Sequence, residues 1–145
     1  IRRPPRSTQS RSSAASDVYK EDPIIAEWWT KWGWPVIPQD KLPGNGTSGI
    51  IITTENDKPI VAGFIYFTNS TGAFLEWVVS DPEYLNEDRA TAISALITSA
   101  ELVCKDAGSK YIISIGRNKS LMQKHKELGW HVDNKPSHEM TKILK

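Results

Sequence analysis

The sequence has few of the residues that mark disulfide-rich, metal-binding or membrane proteins. Its 145 residues include one cysteine, Cys104, which excludes an internal disulfide framework. The three histidines, His125, His131 and His138, do not follow a known metal-ligand spacing, and we expect no metal site. No apolar run reaches the roughly 20 residues that a transmembrane helix needs. These absences predict a cytoplasmic domain that does not enter a membrane.

The first twenty residues are expected to be foreign to the domain. Ile1–Thr8 and Ser12–Lys20 back-translate, in one reading frame, into strings similar to consecutive blocks of a transposase-type sequencing adapter. A natural Arg/Ser-rich arm or a targeting peptide is the alternative. We therefore expect residues 1–20 to be disordered and to pack against nothing, and the first strand of the domain to be truncated. Val18–Lys20 is the weakest part of this expectation, because an open sheet edge can recruit an adjoining chain.

This segment also determines the sign of the net charge. The chain has 18 Lys and Arg against 17 Asp and Glu, a formal charge of +1. Residues 1–20 hold five basic residues and one acidic residue, so residues 21–145 carry a formal charge of about −3. A nucleic-acid-binding domain usually presents a net basic face, and this balance argues against nucleic acid as a partner.

Hydrophobic periodicity predicts one domain over residues 21–145. The predicted elements are a helix from Asp22-Pro23 to Gly33, strands near 49–54, 60–68 and 73–79, a helix from Asn86 or Asp88 ending before Gly108, a strand at 111–115, a helix at 119–128 closed by Gly129, and weak strands at His131–Val132 and Met140–Leu144. The strand–helix–strand unit over residues 74–115 requires a parallel neighbour. The predicted fold class is therefore α/β (α+β), with a mixed, mostly antiparallel sheet flanked by helices.

Two segments carry a family resemblance. The first, Arg89-Ala90-Thr91-Ala92-Ile93-Ser94, is similar to a helix-start pattern of Arg or Gln, two residues, Gly, one residue, and Gly or Ala. The second runs from Asn118 to Leu128-Gly129-Trp130 and matches a strand–Asn–helix–Gly–aromatic pattern. On these segments, the chain from about Ile24 to its end resembles the GNAT (Gcn5-related N-acetyltransferase) family. It looks like a phage or environmental-type member with a degenerate cofactor motif.

The resemblance implies an enzyme that transfers an acetyl group from acetyl-CoA to a primary amine. A helix N-terminus with small residues suits the cofactor's pyrophosphate. The pantetheine arm is implied to enter between two splayed strands, Trp77–Val79 and Tyr111–Ser114, where the backbone N–H of Val79 would polarise the thioester carbonyl. The implied cofactor-binding residues are Val78, Val79, Arg89, Ala90, Thr91, Ala92, Ser94 and Asn118.

Acetyl transfer to an amine also needs a base and an acid. Glu76 is the predicted base, because it lies in an apolar strand where burial would raise its pKa; the alternative is a carboxylate on a solvent-facing side of the strand. The family often has a tyrosine seven residues after the Asn, a position that His125 holds here. His125 is the predicted acid, against the alternative that it lies on a solvated helix face. Ser114 and Tyr111 are weaker candidates.

Four tryptophans, Trp28, Trp29, Trp32 and Trp34, fall within seven positions and cannot easily share one buried stripe. We expect two or three in the core, and Trp29, Trp32 and Trp34 are the candidates for lining a substrate pocket. The expected partner is a small-molecule or peptide amine, and the expected state is a monomer or homodimer. Two alternatives are a GNAT-fold binding module that has lost catalysis and a phage enzyme that modifies nucleobases, which the tryptophans would suit by stacking.

Overall fold

The structure, a computed structural model, describes residues 6–7, 24–46, 49–53, 56–85 and 88–145. The elements are β1 (Arg6–Ser7), α1 (Ile24–Lys31), β2 (Gly49–Thr53), β3 (Pro59–Phe67), β4 (Gly72–Ser80), α2 (Asp88–Asp106), β5 (Tyr111–Ile113) and α3 (Lys119–Glu127). Two short turns, Gln39–Lys41 and Pro43–Gly46, precede β2. Predicted features at Val18–Lys20, Asp22-Pro23 and Asn86 lie outside the described residues.

One mixed sheet organises these elements, with its strands in the order β1-β2-β3-β4-β5. The first four strands are antiparallel neighbours, and β5 runs parallel to β4. Helix α2 forms the crossover from β4 to β5, because a hairpin cannot join parallel strands. The predicted mixed, mostly antiparallel sheet flanked by helices is confirmed.

The strand β3 is apolar on both faces because helices cover both. Successive side chains of a strand point to opposite sides of the sheet. Val61 accordingly belongs to a core cluster with Leu96 of α2, whereas Phe64 belongs to a second cluster with Ile25 and Trp28 of α1. The sheet is therefore the middle layer of the domain, and its edges and strand ends are the places left for a site.

The helices end where the sequence predicts. Gly108 follows α2 and Gly129 follows α3, both with φ of 90°. This is the left-handed region, which glycine adopts without the Cβ penalty of other residues, so it closes a helix. Over the ranges that the structure describes, none of the helices is long and apolar enough to cross a membrane.

The expectation that residues 1–20 pack against nothing is wrong at Arg6 and Ser7. Arg6 lies opposite Thr53 and Ser7 lies opposite Ile52, so the pair adds a short antiparallel strand to β2. An open strand edge presents unpaired N–H and C=O groups that recruit available chain, which is the physical reason for the pairing. The boundary near residue 20 and the adapter origin stay predictions.

The predicted strands at His131–Val132 and Met140–Leu144 are absent, and residues 128–145 are described without any strand. Their natural neighbour, β5, is only three residues long. The apolar side chains Met140, Ile143 and Leu144 remain exposed. Without burial, little offsets the entropy lost on ordering a backbone strand.

Candidate functional site

The candidate site is a cleft where β4 and β5 separate. Their parallel ladder joins Gly72–Phe74 to Tyr111–Ile113 and ends there. Just beyond it, the Ser114 Oγ donates a 2.7 Å hydrogen bond to the carbonyl oxygen of Leu75. The implied splay is present and Trp77–Val79 lie on its free side, but Tyr111–Ile113 belong to the paired part.

A β-bulge in β4 shapes this cleft. The register of β3 and β4 shifts beside Gly63, where β4 has one extra residue, so Trp77 and Val78 both lie opposite that glycine. Trp77 has φ of 57°, a conformation that residues with a side chain rarely adopt. A Cβ at Gly63 would lie 3.2 Å from Leu96 Cδ2 and 3.3 Å from Val78 Cγ2, so a larger residue would require these side chains to shift. A bulge interrupts the regular ladder, and both Trp77 and Val78 line the cleft.

The cleft has a volume of about 440 Å³ and brings together part of the predicted site. The predicted residues that line it are Glu76, Val78, Asn118, Trp29 and Trp34. Two other charged residues of the lining, Lys41 and Glu139, lie in no recognisable sequence motif and were not predicted as site residues. Val79 does not line the cleft: it is buried in the core cluster beneath α1.

Glu76 is the half-buried carboxylate of the cleft. Burial is the main reason that its pKa is raised from an ordinary 4.5 to about 7, and the negative charge of Glu139 raises it further. The backbone hydrogen bond from Ile115 and the positive charge of Arg117 lower the pKa and partly offset this rise. Among the described residues, nothing hydrogen-bonds its buried Oε1. An unsatisfied buried acceptor costs about 1–3 kcal/mol. A bound ligand that donates a hydrogen bond to this atom would therefore remove that cost. The alternative of a solvent-facing carboxylate does not apply.

A chain of two hydrogen bonds holds the bulge. Trp77 Nε1 donates to Tyr66 Oη at 2.6 Å, and Tyr66 Oη donates to the Lys41 carbonyl oxygen at 2.7 Å. Burial raises the pKa of Tyr66, the Trp77 hydrogen bond lowers it and the charge of Glu76 raises it. Tyr66 was not predicted as a site residue. The available signal was a tyrosine in an apolar strand, because a buried tyrosine hydroxyl usually needs a hydrogen-bond partner.

The arginine of the predicted cofactor motif, at the start of α2, is held by contacts within the domain. Arg89 lies in the first turn of the helix, and its Nη2 donates a 2.6 Å hydrogen bond to Ser80 Oγ. Its guanidinium carbon lies 5.4 Å from the ring centroid of Trp32. The side chain is therefore held between β4 and the end of α1, and it does not line the cleft.

The small residues of the same motif divide between the core and the surface. Ala92 is fully buried in the core cluster on the α2 side, and Ser94 is half-buried beyond it. Ala90 and Thr91 are exposed at the helix start. None of these four residues lines the cleft. A helix that packs on a sheet must bury one face, and here Ala92 serves that contact.

His125 is buried and does not line the cleft that contains Glu76. Its side chain is 4% exposed, its Nδ1 is 2.8 Å from the Leu121 carbonyl oxygen, and its ring meets Trp130 edge-on at 4.6 Å. The solvated-face alternative is therefore wrong, and the structure does not bring the predicted acid to the predicted base. The described lining of the cleft contains no tyrosine and no histidine.

The four clustered tryptophans divide as expected between the core and the surface. Trp28 and Trp29 are buried beneath the sheet, and Trp29 also borders the cleft. Trp32 is 39% exposed and Trp34 is 45% exposed, and their rings stack at 5.8 Å with an interplanar angle of 19°. Trp34 lines the cleft, whereas Trp32 lies behind it as a support.

Asn118 caps α3 at the edge of the cleft. Its Oδ1 accepts hydrogen bonds from the backbone N–H groups of Ser120 at 2.8 Å and Leu121 at 3.2 Å. Asn is among the preferred N-cap residues because its side chain satisfies these free donors. Asn118 therefore stabilises the turn between β5 and α3 by capping the helix.

A second depression, of about 600 Å³, lies between α2, β5 and Trp130. Its lining includes Cys104, whose thiol is buried and has its pKa raised by that burial, as expected for an inert thiol. The other polar groups include Lys105 and Lys110, which are exposed. Among the residues that the structure describes, no three His, Cys, Asp or Glu side chains are grouped as metal ligands. The cleft at Glu76 remains the candidate site.

Comparison with known proteins identifies the fold. No family model and no curated protein matches the sequence. Among the solved structures that match is a probable acetyltransferase, with a TM-score of 0.62 and 11% identity over 97% of this chain and 99% of the other. A second is an aminoglycoside acetyltransferase, meta-AAC0020, from an uncultured soil metagenomic sample in complex with sisomicin, with a TM-score of 0.62 and 8% identity over 97% of each chain. A third is Rv2747 from Mycobacterium tuberculosis in complex with CoA and NLQ, with a TM-score of 0.61 and 13% identity over 84% of this chain and 70% of the other. At such identities the likeness shows the fold alone, a mixed sheet flanked by helices that this chain shares with these structures.

Proposed function

We propose that the protein transfers an acetyl group from acetyl-CoA to a primary amine of a small-molecule or peptide acceptor, with Glu76 as the base. The observation that carries the proposal is the buried Oε1 of Glu76, which has no hydrogen-bond partner among the described residues and lies in the cleft between the diverging strands. Its pKa of about 7 leaves the group partly ionised at neutral pH and makes it a stronger base than an ordinary carboxylate. An ammonium group would satisfy the oxygen and provide the proton.

The free side of β4 supports acetyl-CoA as the donor. The ladder to β5 ends at Phe74, which leaves room for an extended arm beside the rest of β4. When bound, acetyl-CoA supplies an activated acetyl thioester. We assign the backbone N–H that polarises its carbonyl to Val78 and not to Val79, because the bulge puts Val78 at the cleft whereas Val79 pairs with Ala62.

The proton balance follows from the groups that line the cleft. Glu76 takes one proton from the ammonium, and the neutral nitrogen then forms the bond to the acetyl carbon as the carbon–sulfur bond breaks. The nitrogen loses a second proton, and the thiolate needs one. Ser114 Oγ is committed to the Leu75 carbonyl, so the carboxyl proton on Glu76 is the one we assign to the thiolate. One proton is released to water for each acetyl group transferred.

The test is a calorimetric titration of acetyl-CoA into the full chain, followed by measurement of thiol release on a panel of primary amines. We expect binding, and thiol release that depends on the amine. Glu76→Gln should retain acetyl-CoA binding and lose turnover, whereas the matched control Glu101→Gln, on α2 and away from the cleft, should retain both. Absence of acetyl-CoA binding by the wild-type protein would refute the proposal.

A binding module that has lost catalysis is the second candidate. Two observations favour it: Arg89 is held by Ser80 and Trp32, and His125 is buried and does not line the cleft. The same experiment separates the two functions. Acetyl-CoA binding without thiol release on any amine would support the binding module.

A further inference from the structure

The lining of the cleft also indicates which kind of amine it accepts. We propose that the acceptor carries a single positive charge and an aromatic ring, and that the ring packs against Trp34. This inference rests on the proposed acetyl transfer and adds the substrate class to it. Two features of the cleft support it: its aromatic wall and the charges that surround the base.

The ring of Trp34 is held in place before any ligand binds. It stacks on Trp32, and Trp32 Nε1 donates a 2.8 Å hydrogen bond to the Ser80 carbonyl oxygen. The guanidinium of Arg89 lies against the same Trp32 ring. The backbone N–H of Trp34 also bonds to the Trp29 carbonyl oxygen at 2.8 Å. Because these contacts fix the ring, a ligand that packs against it loses little further conformational freedom.

Three indole side chains face one small volume. Trp29, Trp34 and Trp77 all line the cleft, together with Glu76. Trp29 is almost fully buried, so Trp34, at 45% exposed, is the ring most available to a ligand. Pockets for small molecules combine such apolar and aromatic walls with a few polar groups that orient the ligand. Here the carboxylate would orient the amine and the wall would hold its ring.

The charges of the cleft do not match a polycation. The described residues that line it include two acidic side chains, Glu76 and Glu139, and two basic ones, Lys41 and Arg117. Glu139 already forms a 2.8 Å ion pair with Arg117. That leaves Glu76 to meet a positive charge. A polyamine would bring several charges into this site, and all but one would lose solvation without gaining an anionic partner.

The test compares 2-phenylethylamine, ethylamine and spermidine as acceptors, with acetyl-CoA and the full chain. We expect the highest kcat/KM for 2-phenylethylamine. Trp34→Ala should lower the ratio of kcat/KM for 2-phenylethylamine to that for ethylamine by about five- to tenfold, the size expected for one aromatic contact. Trp34→Phe should restore most of that ratio. The control is Phe67→Ala, which removes a ring of similar exposure at the end of β3, outside the cleft. It should change the kcat/KM of neither 2-phenylethylamine nor ethylamine.

Two results would overturn the inference. One is a preference for spermidine over 2-phenylethylamine, and the other is an unchanged ratio in Trp34→Ala. Calorimetric titration of 2-phenylethylamine tests the ring site without turnover, and wild-type binding that Trp34→Ala weakens is expected. If that binding is seen while acetyl-CoA does not bind, the acetyl-transfer proposal fails and the ring site stands. If acetyl-CoA binds and amines react without preference for a ring, acetyl transfer stands and the inference fails.

Discussion

Replacing Glu76 by Gln should make the protein more stable at alkaline pH while removing its proposed activity. The substitution keeps the shape and an oxygen acceptor for the Ile115 N–H but removes the charge. In the folded protein the pKa of Glu76 is raised from 4.5 to about 7. Between these pH values the folded state holds a proton that the unfolded state has released. Stability therefore falls as pH rises through this window, and the full cost is present above pH 7.

The size of the effect follows from the same values. A rise in pKa from 4.5 to about 7 corresponds to roughly 3 kcal/mol. Glu76 is only half-buried, and solvent screening reduces this to about 1–2 kcal/mol. We expect Glu76→Gln to exceed the wild type in free energy of unfolding by about that amount at pH 8. At pH 4, where Glu76 is neutral in the folded state and mostly neutral in the unfolded state, the difference should largely vanish.

The measurement is urea unfolding followed by circular dichroism at pH 4 and pH 8 for the wild type, Glu76→Gln and Glu101→Gln. Glu101→Gln should show the same difference from wild type at both pH values. In the activity assay, wild-type kcat/KM should rise with pH through about 7, and Glu76→Gln should lose about 100-fold or more. If Glu76→Gln differs from wild type equally at both pH values, the buried, charged carboxylate is not the source of the effect, and the reasoning is refuted.

Three further predictions concern the supports of the site and the core. Tyr66→Phe removes the acceptor for the Trp77 indole, so the free energy of unfolding should fall by about 1–2 kcal/mol in urea and kcat should fall at unchanged KM for acetyl-CoA; unchanged kcat would show that the bulge needs no such support. Asn118→Ala should cost about 1 kcal/mol of stability, whereas Asn118→Asp, which keeps the capping oxygen, should cost much less; equal losses in thermal unfolding would exclude a capping role. Trp28→Ala should cost about 3–5 kcal/mol in urea unfolding, with the exposed Leu102→Ala as a control close to wild type; similar losses for both would contradict the assigned core.

Most elements were predictable because their signals are local. The meander of β2, β3 and β4 followed from apolar runs and short turns, and the ends of α2 and α3 followed from glycines. The predicted strands near the C-terminal end were wrong, because a weak β pattern does not show whether a neighbouring sheet edge is long enough to pair with it. The pairing of Arg6 and Ser7 with β2 was not predicted for a related reason. Unpaired N–H and C=O groups of an edge strand can bond to any chain that lies close by, whatever its sequence.

By itself, the sequence determined the order of the elements, the parallel neighbour of β4 and the presence of an acidic residue in an apolar strand, because periodicity and residue type are properties of neighbours along the chain. Only the tertiary structure decided which side chains share the cleft. It left Oε1 of Glu76 buried without a hydrogen-bond partner among the described residues, and it placed Trp34 against Trp32. His125 and Arg89 do not line the cleft. Those outcomes depend on how helices rotate and pack on the sheet, and thus on contacts between residues far apart in the chain.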